Sequence, residues 1–181
     1  MSITCFDWDD TLLPSSYIFS KKYDAVVPSL KELENAVCNL LSLALQHSDV
    51  IIVTNSESGW VILSAKRYIP KVVPLLQKCG VISARSSYEK LFPAEPVKWK
   101  YEAFKTILTS TTQTIISMGD SHCEREAVRN ATKDSHVIVK SVKFANNPNI
   151  KHLQKQLETV IMYYDYIRSH NGALDLMLTI A

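Results

Sequence analysis

The chain has 181 residues, 46% of them hydrophobic and 21% charged, and carries a formal net charge of +2. These values suit one domain, spanning residues 1–181, that buries a single core, and they exclude a disordered or fibrous protein. So small a charge excess does not mark a nucleic-acid binder, although Lys21, Lys22, Lys66, Arg67 and Lys71 gather loosely along the chain.

An apolar strand over residues 3–6 runs straight into three carboxylates, Asp7, Asp9 and Asp10, closed by Thr11. Asp is depleted in strands and like charges this close repel, so the cluster costs stability unless a cation or a reaction accounts for it. Residues 12–27 are polar and aromatic without a period and read as a loop or short hairpin. Residues 29–47 form a helix, with Ser29 and Glu32 spaced as a capping box and Leu30, Leu33, Val37, Leu40, Leu41 and Leu45 as its apolar stripe. The β-branched run 50–53 is a buried strand that ends in Thr54, Asn55 and Ser56.

Residues 60–69 are helical and stop at Pro70; a short helix over 75–78, closed by Gly80, leads to a brief strand over 81–84. Two prolines make 86–96 a loop, and 99–108 a helix with Phe104, Ile107 and Leu108 inward. The strand 114–118 ends in Gly119, Asp120, Ser121 and, farther on, Glu124. Residues 136–144 form another strand. Asn147 is expected to cap a helix that has Pro148 at its first position and runs to His170. The alternation of Leu174, Leu176, Leu178 and Ile180 makes 173–180 a strand that adds to the edge of its own sheet or to a neighbour's.

Alternating strands and helices predict an α/β fold: a Rossmann-like three-layer sandwich around a central, mainly parallel sheet. Strand ends in a parallel sheet share one edge, so Asp7, Asp9, Thr54 and Asp120 are brought together there. The cysteines, Cys5, Cys38, Cys79 and Cys123, form no CxxC pair, which argues for reduced thiols rather than a zinc knuckle or a disulfide framework. The strand begins almost at the N-terminus and no run of 18 apolar residues follows. Neither a cleavable leader nor a membrane span is therefore expected, and the location expected is intracellular, in the cytoplasm.

The order DxDxT at Asp7, Asp9 and Thr11, a strand ending in Thr54, a lysine near a helix start, and GDxxxE at Asp120 and Glu124 resembles the haloacid dehalogenase (HAD)-like superfamily of phosphotransferases. The resemblance covers residues 3–131. It implies a magnesium-dependent phosphatase in which Asp7 is the nucleophile, forming an aspartyl phosphate, and Asp9 the general acid and base. It further implies Asp7, the Asp9 carbonyl, Asp120 and Glu124 around the Mg2+, with Glu124 acting directly or through water, and Thr54, Asn55 and Thr11 on the substrate phosphate. The motif lysine is Lys98 or Lys100. Lys98 matches the spacing common among relatives, whereas Lys100 lies four residues before Phe104 on the inward helix face, and geometry favours it. Trp8, between the two aspartates, is expected to pack against the domain or border the substrate mouth, and His122 to lie in a loop near the site.

Neither place where such relatives insert a cap has room for one, so an uncapped core is expected. An open site cannot exclude water from a small substrate on its own. The partner implied is therefore a phosphorylated macromolecule, a phosphoprotein or a nucleic-acid end, with nucleic acid entering only as substrate. Alternatives are a small-metabolite phosphatase completed by homo-oligomerisation and an inactive binding module, against which the intact acidic set counts. A receiver-like signalling domain fits less well, because its phosphoryl-accepting Asp would end a middle strand where this chain has Thr54 and Asn55.

Overall fold

Runs of apolar and β-branched residues form six strands: Ser2–Phe6 (β1), Asp49–Thr54 (β2), Gly80–Ser83 (β3), Thr114–Gly119 (β4), Ile138–Lys143 (β5) and Leu174–Met177 (β6). All pair in parallel, in the order β3-β2-β1-β4-β5-β6. The structure is a computed structural model and describes residues 1–21 and 26–179. The α-helices in those residues are Ser15–Phe19 (α1), Lys31–Leu45 (α2), Trp60–Tyr68 (α3), Val73–Leu76 (α4), Ala84–Tyr88 (α5), Pro96–Ile107 (α6), His122–Thr132 (α7) and Ile150–Ser169 (α8).

The chain starts at the centre of the sheet, builds outward through β2 to β3, then crosses back to lay β4, β5 and β6 on the other side of β1. The strand order therefore reverses between β1 and β4. That boundary opens a crevice at the carboxyl ends of the strands, where ligands bind in sheets of this kind.

Side chains alternate across each strand, which divides the core in two. On one face Ile3, Cys5, Val53 and Ile115 pack against Trp99, Ala103 and Phe104 of α6 and Ala127 and Val128 of α7. On the other, Phe6, Ile52, Ile116, Met118 and Val142 pack against Leu33, Val37, Leu40 and Leu41 of α2 and Leu153, Leu157, Val160 and Tyr164 of α8. Two polar groups that enter these cores find partners there: the Trp8 indole N–H donates to Ser64 Oγ at 2.9 Å, and Thr4 Oγ1 lies 3.1 Å from the Tyr164 hydroxyl. Among the described residues no helix is long and apolar enough to cross a membrane.

Several local expectations are corrected. Within the stretch expected to be loop or hairpin, residues 15–19 are helical; residues 22–25 lie outside those described. The Ser29–Glu32 capping box does not form. Val27–Leu30 is a 3-10 turn with Pro28 in it, the Ser29 hydroxyl donates back to the Val26 carbonyl at 3.0 Å, and α2 starts only at Lys31. Gly80 opens β3 instead of closing a helix, residues 84–88 are helical where a loop was expected, and Pro96 begins α6, as suits a residue with no N–H to leave unpaired.

The cap of α8 is Asn149, whose side chain accepts the His152 N–H at 2.9 Å, whereas Asn147 has the left-handed φ of 48°. The fifth strand is shorter than expected, and the last, β6, pairs with β5 of its own sheet; Ile180 lies outside the described residues. The Asn149→Ala variant is expected to lose about 1 kcal/mol of unfolding free energy in urea titrations. Asn147→Gly, which relieves the left-handed backbone, should lose nothing; equal losses in the two variants would place the cap at the wrong residue.

Candidate active site

Asp7 follows β1 by one residue. The alternation that turns Ile3 and Cys5 towards α6 and α7 carries Asp7 to the same side, while Trp8 turns the other way and is fully buried, well away from any substrate mouth. The chain then folds back sharply: Asp10 adopts a left-handed φ of 55°, and its N–H donates to the Leu13 carbonyl at 2.7 Å. Asp tolerates this conformation better than most residues. The Asp10 carboxylate is taken up by Ser16, which donates to it through both its backbone N–H and its hydroxyl.

Lys100 reaches the same point from α6. Trp99, Lys100, Ala103 and Phe104 form that helix's buried face, so the lysine stem runs inward with the core residues. Its Nζ donates to Asp7 Oδ1 at 2.7 Å and to Glu124 Oε1. Lys98, by contrast, is exposed and pairs with Glu95 at 2.7 Å. Glu124 Oε2 accepts from the Ser121 N–H at 3.0 Å and from its hydroxyl at 2.6 Å, closing a capping box at the start of α7. Both Glu124 oxygens are thus engaged. It holds Lys100, and the cap of α7 is Ser121, not Asp120.

The other expected residues divide clearly. Asp9 is half-buried at the cleft, with Oδ2 accepting from Ser56 Oγ at 2.6 Å and Oδ1 from the Trp60 indole N–H at 2.9 Å. Thr54 is buried at the end of β2. Its Oγ1 accepts the Ser56 N–H at 3.0 Å, which leaves its own hydrogen without an acceptor among the described residues. Asn55 lines the cleft while its amide donates to the Pro96 carbonyl at 3.3 Å. Thr11 does not reach the cleft: it is fully buried in the turn, its hydroxyl unpartnered among the described residues. His122 is exposed and does not line the cleft.

The cleft has a volume of about 410 Å³ and lies across the β1/β4 boundary, with Asp7, Asp9, Thr54, Lys100, Asp120 and Glu124 in its lining. Burial raises the Asp7 carboxyl above the usual range; Lys100 pulls it back, and Glu124 and Asp120 add to the rise. Burial, Glu124 and Asp10 push Asp120 up to about 6. Burial also works against the charges on Glu124 and Lys100, but their mutual attraction outweighs it, lowering the Glu124 pKa and raising that of Lys100. Both lysine and glutamate are therefore ionised.

Whether this lining suits a divalent cation can be judged from its free oxygens. No group of three or more His, Cys, Asp or Glu among the described residues forms a ready-made metal cage. Magnesium does not require one, since it keeps several waters and takes one or two carboxylates. Asp7 has one oxygen not used by Lys100, Asp120 makes no hydrogen bond to another side chain, and the Asp9 carbonyl accepts none, all among the described residues. Those three donors fit the ion.

Sequence reasoning missed the residues that position this set. Ser56 and Trp60 hold Asp9. Lys143 is buried and donates to the Asp120 carbonyl at 2.9 Å, fixing the turn that carries Asp120. Gly119 leaves room for Glu124: a Cβ there would lie 2.7 Å from Glu124 Cδ and Oε2, and nearer still to Cγ. The Gly-Asp pair was the visible sign of that last constraint.

The fold and cleft define an α/β protein of Rossmann-like sheet topology with an acidic, lysine-bridged site at its switch point. Comparison with protein-family models, curated proteins and solved structures finds no match to this chain.

Gly119→Ala is expected to displace Glu124 and lower stability by about 1–3 kcal/mol, measured by chemical unfolding; an unchanged midpoint would mean Glu124 is not held as described. Asp120 also makes a pH prediction. Its folded pKa, about 6, lies above the ordinary 3.8, so the folded state holds its proton more tightly than the unfolded chain. Its contribution is fully present below pH 3.8 and is lost as the pH rises through about 6. Without divalent cation, wild type should lose roughly 1–2 kcal/mol over that range relative to Asp120→Asn, the figure being reduced for partial solvent screening. Parallel pH profiles of the two proteins would contradict the assignment.

Proposed function

We propose that this chain is a magnesium-dependent phosphatase of the uncapped HAD-like type, hydrolysing phosphate monoesters on a macromolecule through an aspartyl phosphate at Asp7. The observation that carries the reading is the 2.7 Å contact between the buried Lys100 ammonium and Asp7, at the switch point and beside Asp9, Thr54 and Asp120. A carboxylate nucleophile must approach a phosphate that is itself negative, so the charge of both must be offset before attack. Lys100 supplies one positive charge against the five carboxylates of Asp7, Asp9, Asp10, Asp120 and Glu124 in the lining. When bound, magnesium held by Asp7, Asp120 and the Asp9 carbonyl would add two further positive charges and act as a Lewis acid on the phosphoryl group.

The residues then divide the work. A carboxylate oxygen of Asp7 attacks phosphorus, the ester P–O bond breaks, and the leaving oxygen takes a proton from Asp9. Water next attacks the acylphosphate while giving a proton back to Asp9, and the bond between Asp7 and phosphorus breaks, releasing inorganic phosphate. Thr54, whose hydroxyl hydrogen lacks a protein acceptor among the described residues, donates to a phosphoryl oxygen. Lys100 stays in place throughout because Glu124 holds it from behind.

An uncapped site fits the chain path. Between β1 and β2 the described residues hold only α1, a 3-10 turn and α2, and between β2 and α6 only α3, α4, a 3-10 turn, β3 and α5. A mouth that no described element covers admits a phosphate displayed on a large surface.

Purified protein with Mg2+ is expected to hydrolyse an aryl phosphate, and Asp7→Asn to abolish this while far-UV circular dichroism stays native; full turnover in that variant would remove the nucleophile. Asp9→Asn should retain phosphate binding but slow turnover by about two or more orders of magnitude. An unchanged rate would assign the proton transfer elsewhere.

A further inference from the structure

Two aromatic rings stand at the mouth of the cleft: Phe19, which takes no part in the core, and Trp60, which is half-buried and packs against the core's edge. Phe19, from α1, is 62% exposed, and its ring centroid lies 5.7 Å from that of Trp60 at an angle of 42°. Both line the cleft that holds Asp7 and Asp120. A second hollow, of about 340 Å³, shares Phe19, Ser56 and Trp60 with it and ends at Leu63, which is 66% exposed. Leaving Phe19 and Leu63 in water costs burial energy that a purely structural role would have recovered.

From this arrangement we infer that the site selects phosphate esters of phenols, tyrosyl phosphate in a peptide being the biological form, and that Phe19 and Trp60 are its specificity residues. The inference rests on the phosphatase reading and adds the leaving group to it. Its geometry comes from Asp9. The Trp60 indole N–H donates to Asp9 Oδ1 at 2.9 Å, so the indole lies one hydrogen bond from the carboxylate that serves the leaving oxygen. A ring joined directly to that oxygen meets Trp60 and Phe19 at once, where aromatic rings pack edge to face or offset. A nucleobase, separated from its phosphate by a sugar, would be carried past them.

Charge points the same way. Among the described residues neither hollow is lined by a lysine or arginine apart from buried Lys100, and Glu57 adds a further carboxylate. No described lining residue other than Lys100 meets the additional phosphates of a nucleic-acid strand, whose binding depends on such cations. Phenols are also the more acidic leaving groups, with a pKa of about 10. They ask less of a general acid than an aliphatic alcohol does, and Asp9 is already tied to two donors, Ser56 and Trp60.

The test compares two unreactive mimics, phenylphosphonate and methylphosphonate, as ligands of the magnesium-loaded protein by calorimetry, alongside turnover of phosphotyrosyl and phosphoseryl versions of one peptide. Wild type is expected to prefer phenylphosphonate. Phe19→Ala, a change at an exposed position, should cut that preference roughly three- to tenfold, and Phe19→Tyr should keep it. Equal binding of the two phosphonates, or a preference untouched by Phe19→Ala, overturns aromatic recognition even if both peptides are hydrolysed. A phenyl preference that depends on Phe19, with no hydrolysis of either peptide, upholds aromatic recognition and retires the phosphatase reading instead.

Discussion

The buried ion triad of Asp7, Lys100 and Glu124 is the constraint on which the rest of the site depends. Taking charges out of water costs several kcal/mol apiece, and only close pairing with hydrogen bonds to the remaining lone pairs offsets it. Here the pairing draws on three separate elements: the end of β1, the inner face of α6 and the first turn of α7. Each must arrive in register for the others to be tolerated. The arrangement is tight enough that position 119 has no room for a side chain, and Ser121 must hold the far oxygen of Glu124.

Around that triad the cleft keeps an excess of negative charge at its open side. Asp120 is held there by its backbone, through Lys143, and not by a side-chain partner, which leaves its carboxylate available. Asp9 is treated in the opposite way, anchored by Ser56 and Trp60 on both oxygens. Two acids lining one cleft thus differ, one with its carboxylate free of side-chain partners among the described residues and one with both oxygens engaged. That division is what a phosphoryl-transfer reading asks of them.

Much of this was legible in the residues themselves. Apolar runs ending in Asp7, Thr54 and Asp120 located three adjacent strands, and the inward spacing of Lys100 against Phe104 distinguished it from Lys98. The parts that were not legible are those without periodicity. Ser56 follows β2 in a turn whose geometry no spacing reveals, Trp60 opens α3 just after it, and Lys143 reads as one more strand residue until the sheet places it beside Asp120. Thr11 looked like a phosphate contact because it completes a motif, yet the left-handed turn at Asp10 sends it into the interior. Caps misled for a related reason. Ser29 and Asn147 had suitable side chains, but Pro28 and Pro148 shifted the true helix starts beyond them.

The central position of β1 has a consequence for how the molecule is made. Its neighbour on one side, β2, lies close in sequence, but on the other side Ser2 pairs with Thr114, far along the chain. Until that pairing forms, β1 keeps an open edge on the side that β4 will occupy. Parallel pairings over such sequence distances form slowly. Asp7 therefore gains Lys100 and its partner Glu124 only once segments distant in sequence have come together.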